Sequence, residues 1–307
     1  MFFVDAAVIA RTTQIKRKSI PINIVTDVQR ECIDTINPAF GSRGNIAALH
    51  SQAKDQCESI HNAAYGRMRL MLECRPSTIS SPDEIRNNEV RGAVLSHTLR
   101  RTGTGKGFVD FIEKNAKAIG DFDTVVRVGN YLHGFNSEWM CVIDAMYSAG
   151  HILYPGMSAV IVGEGSTARA VAYGLRKRGL DVDVHYTAHV GNGGRHSNAH
   201  KNVALNAIKP SIIIDAIPAN AAAGVREQNI RSLLSLADIA GDGAIAIDAT
   251  YNSGLTPFIK YAKTRGLSVI TGSKIGFYRH MRQIEILTGM KAPAGAMELV
   301  FADVIRS

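Results

Sequence analysis

The run Val160-Ile161-Val162-Gly163-Glu164-Gly165-Ser166-Thr167-Ala168-Arg169-Ala170 decides how this chain is read. An apolar, β-branched stretch stops at a glycine pair, and a helix-forming run, Ala170 to Arg178, follows. In that strand–turn–helix context a Gly-x-Gly-x-x-Ala turn suits a dinucleotide pyrophosphate. Gly163 permits the tight turn, Gly165 lets the backbone approach the phosphates, and Ala168 lets the helix pack closely on the strand. The free N–H groups of the first helical turn then face the anion. The plain alternative is a glycine turn that only joins a strand to a helix, so the surrounding chain has to decide.

Downstream of about residue 155 the pattern alternates strand with helix. Ala159–Val162, Asp181–His185, Ile212–Asp215, Ile245–Asp248 and Leu267–Ile270 read as strands, with helices between them. Such alternation predicts a parallel, doubly wound sheet. The glycine-rich loop Gly191-Asn192-Gly193-Gly194-Arg195 follows the second strand. Helical runs Phe277 to Leu287 and Gly295 to Ile305 close the chain, separated by Gly289 and Pro293.

Upstream the signals are mixed. Pro21 to Val25 reads as a short strand and Thr26 to Ile36 as a helix, with breakers at Asn37-Pro38 and Gly41 to Gly44. Asn45 to Leu49 reads as a strand, Asp55 to Arg67 as a helix, and Arg91 to Ser96 as another strand. Gly107 to Ile119 has helical spacing, with Phe108, Phe111, Ile112 and Ala116 on one face. Thr124 to Val128 and Tyr131 to Gly134 read as a hairpin, because Gly129-Asn130 is a two-residue turn of favoured composition.

A chain of 307 residues has room for two domains. Its 46% hydrophobic and 20% charged content is that of an ordinary globular protein. No apolar run approaches the roughly 20 residues of a membrane helix, and Met1 to Asp5 does not begin a secretory signal. Cys32, Cys57, Cys74 and Cys141 are scattered without paired-ligand spacing. They read as reduced cytoplasmic thiols, with no metal site and no disulfide frame. The formal charge of +8 is dispersed apart from Lys16-Arg17-Lys18 and Arg176-Lys177-Arg178. Neither group interleaves with aromatics, so neither nucleic acid nor membrane is expected as a partner.

At the level of ordered motifs the chain resembles the shikimate and quinate dehydrogenases. Asp248-Ala249-Thr250-Tyr251-Asn252-Ser253-Gly254-Leu255-Thr256-Pro257 is similar to that family's Asp-x-x-Tyr-Asn-Pro-x-x-Thr-Pro, and Thr271-Gly272 to its following glycine turn. Glu285-Ile286-Leu287-Thr288-Gly289 resembles its Leu-Trp-Thr-Gly. Ile119 to Arg127 resembles its Ile-Gly-Ala-Val-Asn-Thr-Val-Val, and Gly134-Phe135-Asn136-Ser137-Glu138 its Gly-x-Asn-Thr-Asp. Ile60 to Tyr65 matches the helix after its first loop. The order is kept from about residue 44 to the C-terminus.

The resemblance implies an α/β fold: an N-terminal α/β substrate domain joined to a Rossmann-like, doubly wound NADP-binding domain. Residues 1–43 become an N-terminal extension, 44–150 completed by 277–307 the substrate and catalytic domain, and 151–276 the NADP-binding domain. The implied activity is NADP-dependent reduction of a ketone on a small polar cyclic substrate, in aromatic amino acid biosynthesis, by a monomer or homodimer.

Carried over residue by residue, the implied site departs from the family. Asp55 and Cys57 stand at the two serines that bind a substrate carboxylate, where Asp55 would repel one; capping of the next helix by Asp55, with Cys57 as filler, is equally open. Val94 to Arg100 matches the strand that ends in the catalytic lysine, which puts Ser96 beside substrate and Arg100, Arg101 or Lys106 at the lysine. Arginine binds an oxyanion but is a poor general acid. Glu138 takes the place of the catalytic aspartate, its alternative being an N-cap for the helix near Trp139. Asp123 replaces an asparagine, Arg279 replaces a glutamine, and Tyr251 is kept. These changes imply a substrate other than shikimate, one bearing an amine or several hydroxyls.

On the cofactor side stand Gly163, Gly165, Ser166, Thr167, Ala168, Tyr186, Thr187, Ile217 and Gly272. His185, twenty residues past Gly165, occupies the place of the acid that binds the ribose of NAD, so NADP is expected over NAD. Arg195 is the candidate for its 2′-phosphate, or else a solvated loop cation. The rival reading is a catalytically degenerate ligand-binding or regulatory protein on the same fold.

Overall fold

The computed structural model describes residues 44–49, 57–77, 85–86, 90–95, 108–186, 209–218, 220–250 and 254–306. The strand and helix read at 21–36 and the loop Gly191 to Arg195 lie outside them. Two sheets organise the chain. The first is built from β1 (Gly44–Leu49), β2 (Leu72–Ser77), β3 (Val90–Leu95), β4 (Phe111–Ile112), β5 (Thr124–Val128) and β6 (Tyr131–Phe135), in the order β2-β1-β3-β5-β6-β4. β1 runs parallel to β2 and β3, while β5 is antiparallel to both β3 and β6. Helices α1 (Cys57–Arg67) and α2 (Lys114–Ile119) belong to this part of the chain.

After α3 (Glu138–Ser148) come β7 (Ser158–Gly163), α4 (Ser166–Lys177), β8 (Asp181–His185), β9 (Ile212–Ala216), α5 (Ala223–Ile239), β10 (Ile245–Asp248), α6 (Pro257–Thr264) and β11 (Ser268–Ile270). These five strands form a wholly parallel sheet in the order β11-β10-β9-β7-β8. That is the doubly wound arrangement expected from the alternation. The chain leaves β7 toward one edge and β9 continues toward the other, so the switch point lies between the carboxyl ends of β7 and β9, where open α/β sheets bind ligands. The central strands β7, β9 and β10 are apolar on both faces because both are covered, while the edge strand β8 alternates charged and apolar residues. Ile161, Ile214 and Ile247 pack toward α3 and α4, while Val160, Ile213 and Ala246 pack toward α5 and α6.

The last helices, α7 (Gly272–Thr288) and α8 (Ala294–Arg306), turn back. Ile275 of α7 lies in the core beside the second sheet, whereas Ile284 and Leu287 lie in the core of the first with Ile60, Tyr65 and Met297. One helix thereby joins both cores. Arg282 of α7 fastens it to α3 through Asp144, with Nε–Oδ2 at 2.7 Å and Nη2–Oδ1 at 2.8 Å, and holds Glu285 at 2.8 Å. Burial opposes the charge on Arg282, but the hydrogen bond and charge of Asp144, with Glu285, outweigh it and hold the guanidinium more firmly protonated.

Four segments differ from the sequence expectation. Gly107 to Ile119 is not one helix: Phe111–Ile112 is an edge strand on β6, and the helix starts only at Lys114. Glu113 stops it there, accepting from the N–H groups of Asn115 and Ala116 at 2.8 and 3.1 Å. Phe111 and Ile112 are exposed, so their spacing does not mark a buried helical face. The strand Leu72–Ser77 has no clear sequence signal because Pro76 breaks its pattern; at the edge of the sheet a proline costs no ladder hydrogen bond. Helices α4 and α7 each begin earlier than their sequence pattern suggests, at Ser166 and Gly272.

Candidate functional site

The turn after β7 is shaped by two glycines with different reasons. Gly163 has φ of 148°, and a Cβ built there would stand 2.1 Å from the carbonyl oxygen of Ala216 and 2.8 Å from the nitrogen of Ile217. Glycine is needed so that β7 can end directly against the end of β9. Gly165 has φ of 91° and nothing within 4 Å of its would-be Cβ, so its backbone faces open space. It stands at the N-cap of α4 and offers no side chain to the first-turn N–H groups. Those donors suit an anion. Ser166 is half-buried at the mouth, while Ala168 is buried under the turn, as close packing of helix on strand requires.

The helix carrying this turn is clamped to the first sheet's side of the molecule. Arg169 Nε donates to the carbonyl of Ile119, and Tyr173 Oη and Lys177 Nζ both donate to Asn115 Oδ1. At Gly174 a Cβ would meet the carbonyl oxygen of Trp139 at 2.1 Å, so α3 and α4 cross in close contact. That crossing brings Glu138, fully buried at the start of α3, to the first turn of α4: Thr167 Oγ1 donates to Glu138 Oε2 at 3.4 Å. Glu138 is not the helix cap. Asn136 Oδ1 takes that part, accepting from the N–H groups of Glu138 and Trp139 at 3.0 and 3.3 Å.

The other site residues expected from sequence have the following surroundings. Asp123 is expected from sequence to be an acid facing a ligand, but both its oxygens are engaged by the chain itself. Thr124 Oγ1 donates at 2.6 Å, Ser137 N at 3.0 and 3.1 Å, and Ser137 Oγ at 2.8 Å. It fastens the approach to α3 because β5 and β6 place Ser137 beside it. Cys57, expected at a substrate carboxylate, is buried at the start of α1 with its Sγ 3.8 Å from that of Cys74. Arg279 is half-buried on α7. Burial pushes the Cys141 thiol well up, the charges of Asp144, Glu138 and Asp123 add to this, and Arg279 opposes it. Asp55, Ser96, Arg100, Thr187, Arg195 and Tyr251 lie outside the described residues, as do Arg101 and Lys106.

At the end of β8, Tyr186 has its hydroxyl pushed up by burial and then by the charge and hydrogen bond of Glu164, against the pull of Arg226. Arg226, near the start of α5, also donates to the carbonyl of Pro218 at 2.8 Å. Neither Glu164 nor Arg226 stands out as a site residue from sequence. Only the folding of α5 beside the glycine turn puts a guanidinium there. Ile217 is buried at the foot of the turn, its N–H donating to Asp215 Oδ1 at 3.0 Å, and Gly272 is buried at the start of α7.

Asp215 sits at the carboxyl end of β9 opposite Asp248 of β10. Burial pushes its carboxyl up to about 7; the Ile217 N–H and Arg226 oppose the rise, and Asp248 adds to it. A carboxyl raised in the folded state lends stability below its unfolded value of 3.8 and loses it as pH climbs through about 7. A displacement of that size is worth on the order of 4 kcal/mol at most. Asp215→Asn keeps an acceptor for Ile217 without the titration. Its stability relative to the parent chain should therefore rise steadily between pH 3.8 and about 7 and level off above. Urea unfolding across that range checks this; a difference independent of pH refutes it.

The comparisons with known proteins agree with this layout. No protein-family model matches the chain. An NADP(+) shikimate dehydrogenase of Thermus thermophilus is 29% identical over 224 residues, covering 69% of this chain and 80% of the relative. A shikimate dehydrogenase-like protein of Haemophilus influenzae is 22% identical over 237 residues, 75% and 85% of the two chains. Among solved structures, the Thermus thermophilus shikimate 5-dehydrogenase in complex with NADP(H) and shikimate superposes with a TM-score of 0.65 at 21% identity, covering 86% of this chain and 100% of that one. The structure of a shikimate 5-dehydrogenase-like protein gives 0.67 at 19% identity, covering 89% and 100%. At such identities the structures establish the fold.

Proposed function

We infer that this chain, similar in sequence order and in fold to the shikimate dehydrogenases and shikimate dehydrogenase-like proteins, is an NADP-dependent oxidoreductase that reduces a ketone on a small polar ring. The observation that carries the reading is the contact between Thr167 and Glu138. It sets a buried acid against the first helical turn of a glycine loop open to a pyrophosphate. The residues present fit the dinucleotide. Gly163 and Gly165 shape the cradle, the N–H groups from Ser166 onward hold the diphosphate, and Arg226 near Tyr186 supplies a cation for a 2′-phosphate. Arg195 belongs to the same proposed group, with Thr187 and Gly272.

NADPH, when bound, supplies the hydride. The chain does the rest. Glu138, held by Thr167 and shielded from water, passes a proton to or from the reacting hydroxyl oxygen. Arg100 binds the developing oxyanion, and Ser96, Tyr251 and Arg279 orient the ring. With arginine at 279 and Asp55 and Cys57 in place of serines, the substrate differs from shikimate. The proposed division is a substrate domain of 44–150 completed by 277–307, and an NADP-binding domain of 151–276, in a cytoplasmic monomer or homodimer.

Glu138→Gln tests the proton step. NADPH oxidation, followed by absorbance over a panel of cyclic ketones, should fall by roughly 10²- to 10⁴-fold in kcat, with NADPH affinity kept. An unchanged rate removes Glu138 from the chemistry. Tight NADPH binding with no turnover of any ketone by the parent chain, restored by Arg100→Lys, would make the protein the ligand-binding relative instead.

A further inference from the structure

Beneath the first sheet lies a group of metal-ligating side chains, of which only Cys57 also enters the proposed substrate site. Cys57, His61 and His280 are all buried, and one ligand atom from each lies within 4.8 Å of those of the other two. Cys57 and His61 are one helical turn apart on α1 and share a face. His280 reaches them from α7, with its Nδ1 3.4 Å from His61 Nε2. Cys74 comes from β2, with its Sγ 3.8 Å from that of Cys57. The backbone of Cys74 is pinned to α1 by Asn62, which accepts from its N–H at 2.7 Å and donates to its carbonyl at 3.0 Å.

We propose that Cys57, His61 and His280, completed by Cys74, form a zinc site that ties α1, β2 and α7 together. Zinc takes thiolate sulfur at about 2.3 Å and imidazole nitrogen at about 2.0–2.1 Å in a tetrahedron. From those bond lengths two thiolates on one ion stand roughly 3.8 Å apart and two imidazoles roughly 3.4 Å. The Cys57–Cys74 and His61–His280 separations have these values. Cys74 lies outside the group whose atoms are all within 4.8 Å, so its side chain would have to turn toward the two imidazoles to complete the tetrahedron.

Two thiols and two neutral imidazoles favour zinc over the hard cations. Binding releases the two thiol protons, and two thiolates then balance the dication. His61 Nδ1 lies 3.1 Å from Tyr65 Oη. With zinc on Nε2, the Nδ1 proton is donated to that oxygen, the outer hydrogen bond that orients a ligating imidazole. All four ligands are buried, so zinc enters as the chain folds and acts as a cross-link between elements.

The experiment uses the full, untagged chain, unfolded with a chelator and refolded with zinc chloride or without. Refolding with zinc should leave one zinc per chain after dialysis, measured by mass spectrometry of the metal, and raise the thermal midpoint above that of the metal-free sample. Cobalt in place of zinc should show a thiolate-to-metal charge-transfer band and the visible bands of a tetrahedral site. His280→Gln should weaken zinc binding by at least about 100-fold and Tyr65→Phe by roughly 10-fold, whereas Cys141→Ser should keep it. A natively folded parent chain that retains no zinc, or a cobalt spectrum without the thiolate band, overturns the proposal. So does equal zinc retention by the parent chain and His280→Gln. None of these readouts depends on the oxidoreductase reading.

Discussion

Gly163→Ala is expected to abolish NADPH binding and to destabilise the fold by about 3 kcal/mol or more. The added methyl would lie 2.1 Å from the carbonyl oxygen of Ala216 and 2.2 Å from its carbon. Both are backbone atoms at the end of β9, so no rotamer change relieves the contact. Relief requires parting β7 from β9, whose ladder runs up to the Gly163–Ala216 pair, or rebuilding the turn. Either movement displaces the donors that would hold the pyrophosphate. Gly165→Ala is the matching control. Its Cβ meets no atom of the chain, so the stability loss is the backbone strain of φ 91° and ψ −163° alone, on the order of 1–3 kcal/mol. Fluorescence titration of Gly163→Ala with NADPH checks the binding loss, and urea unfolding of both variants compares their stability losses. Equal losses in the two would mean that the contact with β9 is not what demands glycine at 163.

Arg282→Ala should cost about 3–5 kcal/mol of stability, the largest loss expected from a side chain remote from the turn. Its guanidinium is the shared partner of Asp144 and Glu285, and side-chain exposure is 12%, 16% and 13% across the three. Truncation strands two carboxylates in a poorly solvated space. It also cuts the tie between α3, which carries Glu138, and α7, which carries Arg279. The loss should shrink in acid, where both carboxylates are neutralised. Burial already pushes the Glu285 carboxyl up, against the pull of Arg282. Replacing Arg282 by Met together with Asp144 by Leu and Glu285 by Gln should recover most of the loss, since an apolar contact carries no stranded charge. Thermal unfolding at neutral and acid pH measures both effects. A cost for Arg282→Ala below about 1 kcal/mol would show the network to be well solvated.

Much of the second sheet is legible in the sequence. Its central strands β7, β9 and β10 are largely apolar runs because they are buried on both faces, and its turn residues answer to backbone constraints a few residues long. The hairpin at Gly129-Asn130 is legible for the same reason, with Gly129 at φ 61°. Edge elements are not. Phe111-Ile112 fits either a helical face or a strand, and only the hydrogen bonds to β6 decide between them. The candidate site is legible in part. Glu138 and the glycine turn stand out as residues, but the partner of Asp123 does not, because Ser137 comes to it from across the hairpin. Arg226 carries no local signal at all.

By itself the sequence determined the doubly wound sheet, the glycine turn at its switch point and the ordered likeness to one family of dehydrogenases, because these rest on period, propensity and steric limits that act over neighbouring residues. Only the tertiary structure decided which groups meet: Thr167 with Glu138, Arg282 with Asp144, and His61 with His280 across 219 positions of chain. Of the four residues of the proposed zinc site only Cys57 and His61 have a spacing to read, one helical turn; Cys74 and His280 meet them through the packing of α1, β2 and α7 and not by distance along the chain. Contacts of that kind are products of helix crossing and core packing, which no window of sequence contains.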